Sequence, residues 1–293
     1  MVTVRIWGGL GNQLFEYAYA RCLSLKKNTG LLLDYYDQTL RTDCDGENLT
    51  RITDVFDLPA KLYIGKKRKD LVNRYKLAYG DWLVRRIYLK TRRVINEDDF
   101  DHYKEDIENG KNIYLIGHWQ SEKYFQDIKD IIRKEFKFKI EGQASRLDIY
   151  QEIAGSHSVS LHIRGKDYLV NPIYGKCDVK YYLDAIDVIG NAKPDSNLKF
   201  FIFTDDIDCI RRDYRELLGF SKLVNVQTDF KSDALDLLLM SQCKHNVICN
   251  SSFSWWGAWL NNNPDKMVVA PRKWYIHPDY SSQHLVPEAW HKI

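Results

Sequence analysis

The sequence predicts an α/β protein made of two Rossmann-type halves, each with a mostly parallel sheet, separated by a cleft. Three observations carry this. Short apolar segments bounded by polar residues alternate with stretches patterned for helix, as buried parallel strands require. The first such segment runs straight into a glycine-rich turn that opens a helix. The chain, at 293 residues, is long for one core and sufficient for two.

The elements follow in order. VTVRIW (2–7) reads as a strand, GGLGNQ (8–13) as the turn, and a helix starts near Gln13, with Leu14, Phe15, Ala18, Cys22 and Leu23 at helical spacing. Further strands are LLLDY (31–35) and NIYLIGHW (112–119). Residues 141–155 are polar and lack apolar periodicity, so the domain boundary is placed at 152/153. The first domain, 1–152, then carries a basic helical insertion, and the second spans 153–293. That second half restarts the pattern with SVSLHI (158–163), a helix near 179–191, KFFIFTDD (199–206) and KLVNV (222–226). A helix near 231–242, the strand NVICN (246–250), a helix from about Phe253 and the strand MVVAP (267–271) complete it.

Composition excludes several classes. Hydrophobic residues make up 44% and charged residues 28%, and the mean hydropathy of −0.46 describes a soluble globular chain rather than a disordered or membrane-spanning one. The N-terminus reads as a strand and not as a signal peptide, and no apolar run approaches the roughly 20 residues of a membrane span. Cys22, Cys44, Cys177, Cys209, Cys243 and Cys249 show no paired framework, and Cys22 and Cys249 sit in apolar elements, which indicates buried reduced thiols and a cytoplasmic location. Net charge is +3, yet twelve Lys or Arg and two Asp lie between Lys61 and Arg93. That stretch is either a solvated helical face or a surface for anionic phospholipid or a pyrophosphate-bearing acceptor, which allows a peripheral place at the membrane. Nucleic acid is disfavoured, since no reader motif accompanies the charge.

Four segments carry chemistry. In GGLGNQ the glycines let backbone approach a ligand, with Gly11 and Asn12 at the mouth of the helix; a nicotinamide site is poorly supported because Leu14 stands where the dinucleotide fingerprint has its third glycine. HIRGKDY (162–168) follows a buried strand. There Arg164 and Lys166 suit a pyrophosphate, Asp167 suits a base or an arginine anchor, and His162 suits a base or the core. In FTDD (203–206), Thr204 and Asp205 suit a nucleoside, or the acidic pair caps a helix. In NSSFSWWGAWL (250–260), Asn250, Ser252, Phe253 and Ser254 stand where a strand gives way to a helix N-terminus, a favourable place for a diphosphate. Asp43-Cys44-Asp45 and Asp206-Ile207-Asp208 spell D-x-D without enough further carboxylates to define a metal cage.

GGLGNQLFEYA (8–18), GHWQSEKYF (117–125), HIRGKDY and NSSFSWWGAWL, followed by PRKW (271–274), together resemble the family-11 α1,2-fucosyltransferases, chiefly the bacterial branch. The resemblance implies a GT-B fold and inverting transfer of fucose from GDP-fucose to the 2-hydroxyl of a terminal β-galactoside. It also implies no required metal or other cofactor, and a place in surface-polysaccharide assembly on a lipid-pyrophosphate carrier. It makes Arg164 the pyrophosphate ligand; from the residues themselves, Asp167 and His162 are the candidate bases and Asn12 orients fucose or acceptor, which with Arg164 gives the catalytic set. The reading of the residues gives the donor-binding set as Gly11, Arg164, Lys166, Thr204, Asp205, Asn250, Ser252, Phe253 and Ser254. One position departs: the family's central motif reads H-x-R-R-G-D, and here Gly165 replaces the second arginine. A metal-dependent D-x-D transferase and a non-catalytic sugar-binding module are the alternatives.

Overall fold

The opening apolar segment becomes the centre of a parallel sheet. Strand β1 (Val2–Arg5) pairs with β2 (Leu31–Asp34) on one side and with β5 (Ile113–Ile116) on the other. The edges are β3 (Lys61–Tyr63) beside β2 and β4 (Arg93–Asn96) beside β5, giving the order β3-β2-β1-β5-β4. The computed structural model describes residues 1–35, 50–63, 93–97, 112–165, 175–226, 228–230, 232–276 and 284–293. Most of the basic stretch, the Asp43–Asp45 motif, Lys166 and Asp167 lie outside them.

The chain divides into two compact units, Met1–Lys137 and Phe138–Ile293, whereas the sequence reading divides it at 152/153. Between those positions stand two short helices, α4 (Glu141–Ala144) and α5 (Asp148–Ala154). Helix α5 buries Ile149 and Ile153, and Tyr150 donates to Gln242 Oε1 at 3.1 Å, well inside the second unit. A seven-residue helix with one apolar i,i+4 pair gives too little periodicity to read from sequence.

In the first unit, helix α1 (Leu10–Lys26) is buried on nearly every side, from Leu10 through Ser24. It is joined by α2 (Ile52–Val55) and α3 (Lys129–Glu135). Glu135 ties α3 to α1, accepting from Tyr17 Oη at 2.6 Å and from Arg21 Nη2 at 2.8 Å.

In the second unit the strands are β6 (His157–Ile163), β7 (Leu198–Thr204), β8 (Ser221–Leu223), β9 (His245–Val247), β10 (Val268–Ala270) and β11 (His291–Lys292). All pair parallel, in the order β11-β10-β9-β6-β7-β8. Read from β8, this is the doubly wound order 3-2-1-4-5-6, with its switch point between β6 and β9. The crossover helices are α6 (Val179–Ala192), α7 (Ile207–Asp213), α8 (Ser232–Gln242) and α9 (Ser252–Leu260). The sheet expected to close at MVVAP gains one more strand, the two-residue β11, beside β10. Cys22, Cys209, Cys243 and Cys249 are buried free thiols, and Cys177 is a half-buried one. No helix among the described residues is long and apolar enough to cross a membrane.

Candidate active site

Open α/β sheets bind ligands outside the carboxyl ends of their strands at the switch point. In the second unit that edge carries Arg164 and Gly165 after β6, Asp205 and Asp206 after β7, and residues 248–254 after β9. Asp205 organises it: one carboxylate oxygen accepts from Gly165 N at 2.7 Å, and the other lies 3.5 Å from Arg164 Nε. Thr204 and Asp206 form the entry to α7. Asp206 N donates to Thr204 Oγ1 at 3.1 Å, and Asp206 Oδ1 caps the helix by accepting from Cys209 N at 2.9 Å. Asp208, the other acid of that D-x-D, is exposed and paired with Arg211.

His162 is buried, its Nδ1 3.2 Å from Cys249 Sγ and its ring against Phe253 at 5.6 Å. Burial, reinforced by the Arg164 charge, pushes its pKa down to about 3. Asn250 is a clamp: its amide donates to the carbonyls of Gly175 at 2.7 Å and Trp274 at 2.9 Å. Ser252 and Phe253 are half-buried at the start of α9, while Ser254 is buried and donates to Ser251 O at 3.2 Å. Trp255, Trp256 and Trp259 pack the core, and Trp255 Nε1 donates to Leu285 O at 2.9 Å.

The first unit has its own switch point, between β1 and β5. Gly8 has φ +78°, where a side chain would be strained, and Gly9 begins α1. Gln13 is a structural tie, donating to Gly8 O and Thr50 O and accepting from Ile52 N. Asn12 Oδ1 accepts from Gln120 Nε2 at 2.8 Å. Beside them, fully buried Glu16 accepts from Trp7 N at 3.0 Å and lies 3.0 Å from His118 Nδ1. The His118 ring stacks on Trp7, centroids 4.6 Å apart and planes 12° from parallel. Glu97 accepts from the backbone N–H groups of His118 and Trp119 at 2.5 and 2.8 Å.

A sequence profile of glycosyl transferase family 11 matches residues 1–293. This chain belongs to that family. An α-1,2-colitosyltransferase of Escherichia coli is 31% identical over 302 residues, spanning 100% of this chain and 99% of the relative. The O-antigen biosynthesis glycosyltransferase WbnK of E. coli is 29% identical over 306 residues, with 97% of each chain covered. Among solved structures, the NodZ α-1,6-fucosyltransferase soaked with GDP-fucose aligns with TM-score 0.53 at 14% identity, over 88% of this chain and 92% of that one. That likeness concerns the fold, which is GT-B-like.

In this family-11 glycosyltransferase, Arg164, Asp205, Asn250, Ser252, Phe253 and Ser254 follow β6, β7 or β9, and Thr204 ends β7, so these expected donor residues share one sheet edge. Gly11 and Asn12 stand at the other unit's edge, as their place in the first half requires. Sequence reading passed over Glu16, Glu97 and His118. The available signal was Glu16 itself, an acid within the apolar run Leu14–Ala20 of α1. Among the described residues, no group of three or more His, Cys, Asp or Glu side chains is placed to hold a metal ion.

Proposed function

We propose that the chain transfers L-fucose from GDP-fucose to the 2-hydroxyl of a terminal β-galactoside, with inversion and without a metal, in surface-polysaccharide assembly on a lipid-pyrophosphate carrier at the cytoplasmic face of the membrane. The observation that carries this is the edge of the second sheet, where the Arg164 guanidinium, held by Asp205, and the N-terminus of α9 follow adjacent strands β6 and β9. A guanidinium and a helix N-terminus together match a diphosphate. Thr204 and Asp205 then face the nucleoside side, and Lys166 adds positive charge. The first unit holds the acceptor. The attacking hydroxyl approaches the anomeric carbon opposite GDP, and stabilisation of the departing diphosphate dominates the barrier.

A second donor has specific support, since a 31%-identical relative is named a colitosyltransferase. Colitose is fucose without its 3-hydroxyl, so the same GDP site would serve both, and selection falls to contacts with that hydroxyl.

The test is GDP release by the purified protein from GDP-fucose and from GDP-colitose, with a β-galactoside acceptor and EDTA present. Acceptor-dependent release is expected, together with a loss of about a hundredfold or more in Arg164→Ala. Release that requires manganese would replace this reading with the D-x-D one, and near-normal turnover in Arg164→Ala would remove Arg164 from the site.

A further inference from the structure

We propose that Asn250 is a positioning residue of the transfer site: its amide holds the connection that carries Arg164, and the connection after β10, against the start of α9, so that guanidinium and helix N-terminus close on one diphosphate. This rests on the GDP-sugar transfer proposed above. The sequence sets Asn250 among the donor ligands, but its amide hydrogens go to the protein.

Topology shows why the second sheet needs such a tie. Arg164 follows β6 and α9 follows β9, the adjacent strands between which the winding reverses. The two halves of the diphosphate site therefore belong to chain segments that run in opposite directions along the sheet. The connection from β6 to α6 opens with Arg164 and Gly165, both held by Asp205. Its other end is fixed on its own side of the switch point. Lys176 Nζ lies 2.5 Å from Asp213 Oδ2, Tyr214 Oη donates to Cys177 O at 2.6 Å, and Asp178 caps α6 by accepting from Tyr181 N at 2.9 Å. Asn250 reaches it from the far side. The buried Nδ2 donates to Gly175 O at 2.7 Å and to Trp274 O at 2.9 Å, so connections from β6, β9 and β10 meet on one side chain.

A close approach at the same place is the second support. A Cβ on Gly175 would lie 2.8 Å from Ile276 Cγ1, so the two connections touch where the amide joins them. Cys177 Sγ also reaches Asn250 Oδ1 from 3.8 Å. The chemistry selects an amide, because one nitrogen offers two diverging N–H donors to carbonyls of different loops. A hydroxyl has one donor and a carboxylate none. A diphosphate is bound and stabilised best by groups that stand in place before it arrives or departs. Loss of the tie should therefore lower both GDP affinity and turnover.

Asn250→Ala and Asn250→Asp test the proposal beside Ile189→Ala, a cavity variant of a fully buried core residue on α6. All three are expected to lower the denaturation midpoint. By calorimetry, Asn250→Ala should bind GDP about tenfold or more weakly than wild type, while Ile189→Ala stays within about threefold. At saturating donor, kcat of Asn250→Ala should fall by about tenfold too, since the same fixed groups meet the leaving diphosphate. Asn250→Asp keeps the native size and shape and carries the test if the alanine variant does not fold. Its ionised form opposes both carbonyls, whereas its neutral form donates to one. Its GDP affinity relative to wild type should thus recover as pH falls from about 8 to about 5.5, the range into which burial lifts such an acid.

GDP affinity and kcat within about threefold of wild type in the Asn250 variants overturn the proposal. So does an equal loss in Ile189→Ala, because binding then follows stability alone. A deficit in Asn250→Asp that ignores pH also overturns it, because N–H donation is then not what holds the loops. Wild-type protein that binds no GDP removes the donor reading, and this proposal with it, before any variant is compared.

Discussion

A side chain at Gly165 would put its Cβ 2.4 Å from the Cβ of Asp206 and 3.0 Å from its carboxylate. Asp206 cannot retreat without releasing the cap of α7. The glycine that departs from the family's second arginine is therefore matched to its neighbour, and the two positions have to be read together. Gly165→Ala is expected to lower stability by about 1–3 kcal/mol, measured as a fall in the denaturation midpoint. Gly165→Arg, which restores the family residue, should lose more and gain no donor affinity. An unshifted midpoint in Gly165→Ala would mean that the loop yields freely. At this scale the sequence is legible where a residue's type fixes its chemistry. Arg164 is expected as a pyrophosphate ligand and Asp205 beside a nucleoside, and the structure adds that the two lie 3.5 Å apart. The sequence is illegible where the partner lies far along the chain. Asn250 has its amide on carbonyls 75 and 24 residues away, and Glu16 meets His118 across 102 residues. No local pattern encodes such pairs.

Of the elements of seven or more residues, β6, α6, β7, α8 and α9 begin within two residues of their expected positions, α1 begins three residues early, and α3, α5 and α7 have no counterpart in the sequence reading. The elements left unread, α2, α3, α4, α5, α7, β3, β4 and β11, run seven residues or fewer, too few for a periodicity to stand out. One device that seats α9 is also a stability test. Asn246, fully buried on β9, donates to Ser160 Oγ at 2.7 Å on β6 and to Met240 O at 2.9 Å on α8. It accepts from Asn261 Nδ2 at 2.8 Å, at the end of α9. Three elements thus meet on one amide just ahead of the candidate diphosphate site. Asn246→Ala takes this donor from Ser160 Oγ and one bond each from Met240 O and Asn261 Nδ2, which keep others; a buried polar group left unmade costs about 1–3 kcal/mol. A loss in that range or above is expected in urea unfolding. GDP affinity should weaken as well, because the end of α9 loses one of its ties to β9. Wild-type stability in this variant would show that water or a neighbour replaces the amide.

Across the whole molecule, buried acids and buried histidines set opposing dependences of stability on pH. Burial raises the Glu97 pKa to about 7 against the pull of its two N–H donors, raises that of Glu16, and raises that of Asp236 to about 7. Such acids hold a proton in the folded chain that the unfolded chain releases above about pH 4.3. For Glu97 and Asp236 the contribution is complete below that value and is lost as pH rises through about 7. Burial also lowers His118 to about 4 and His162 to about 3. The unfolded chain binds these protons below about pH 6.5 while the folded chain does not, so the histidine contribution is present at neutral pH and lost on acidification. The two slopes oppose each other between about pH 4.3 and 6.5, and the wild-type curve there should be shallow. Glu97→Gln removes one falling arm, since an amide has no proton to lose. Relative to wild type, the variant should gain about 1–3 kcal/mol between pH 5 and 7.5, from roughly 1.4 kcal/mol per pKa unit, discounted for the partial exposure of Glu97. Paired urea titrations at the two pH values measure that difference. A constant offset would mean that the two backbone N–H groups keep Glu97 ionised throughout, and that the turn carrying His118 is held by a carboxylate at every pH.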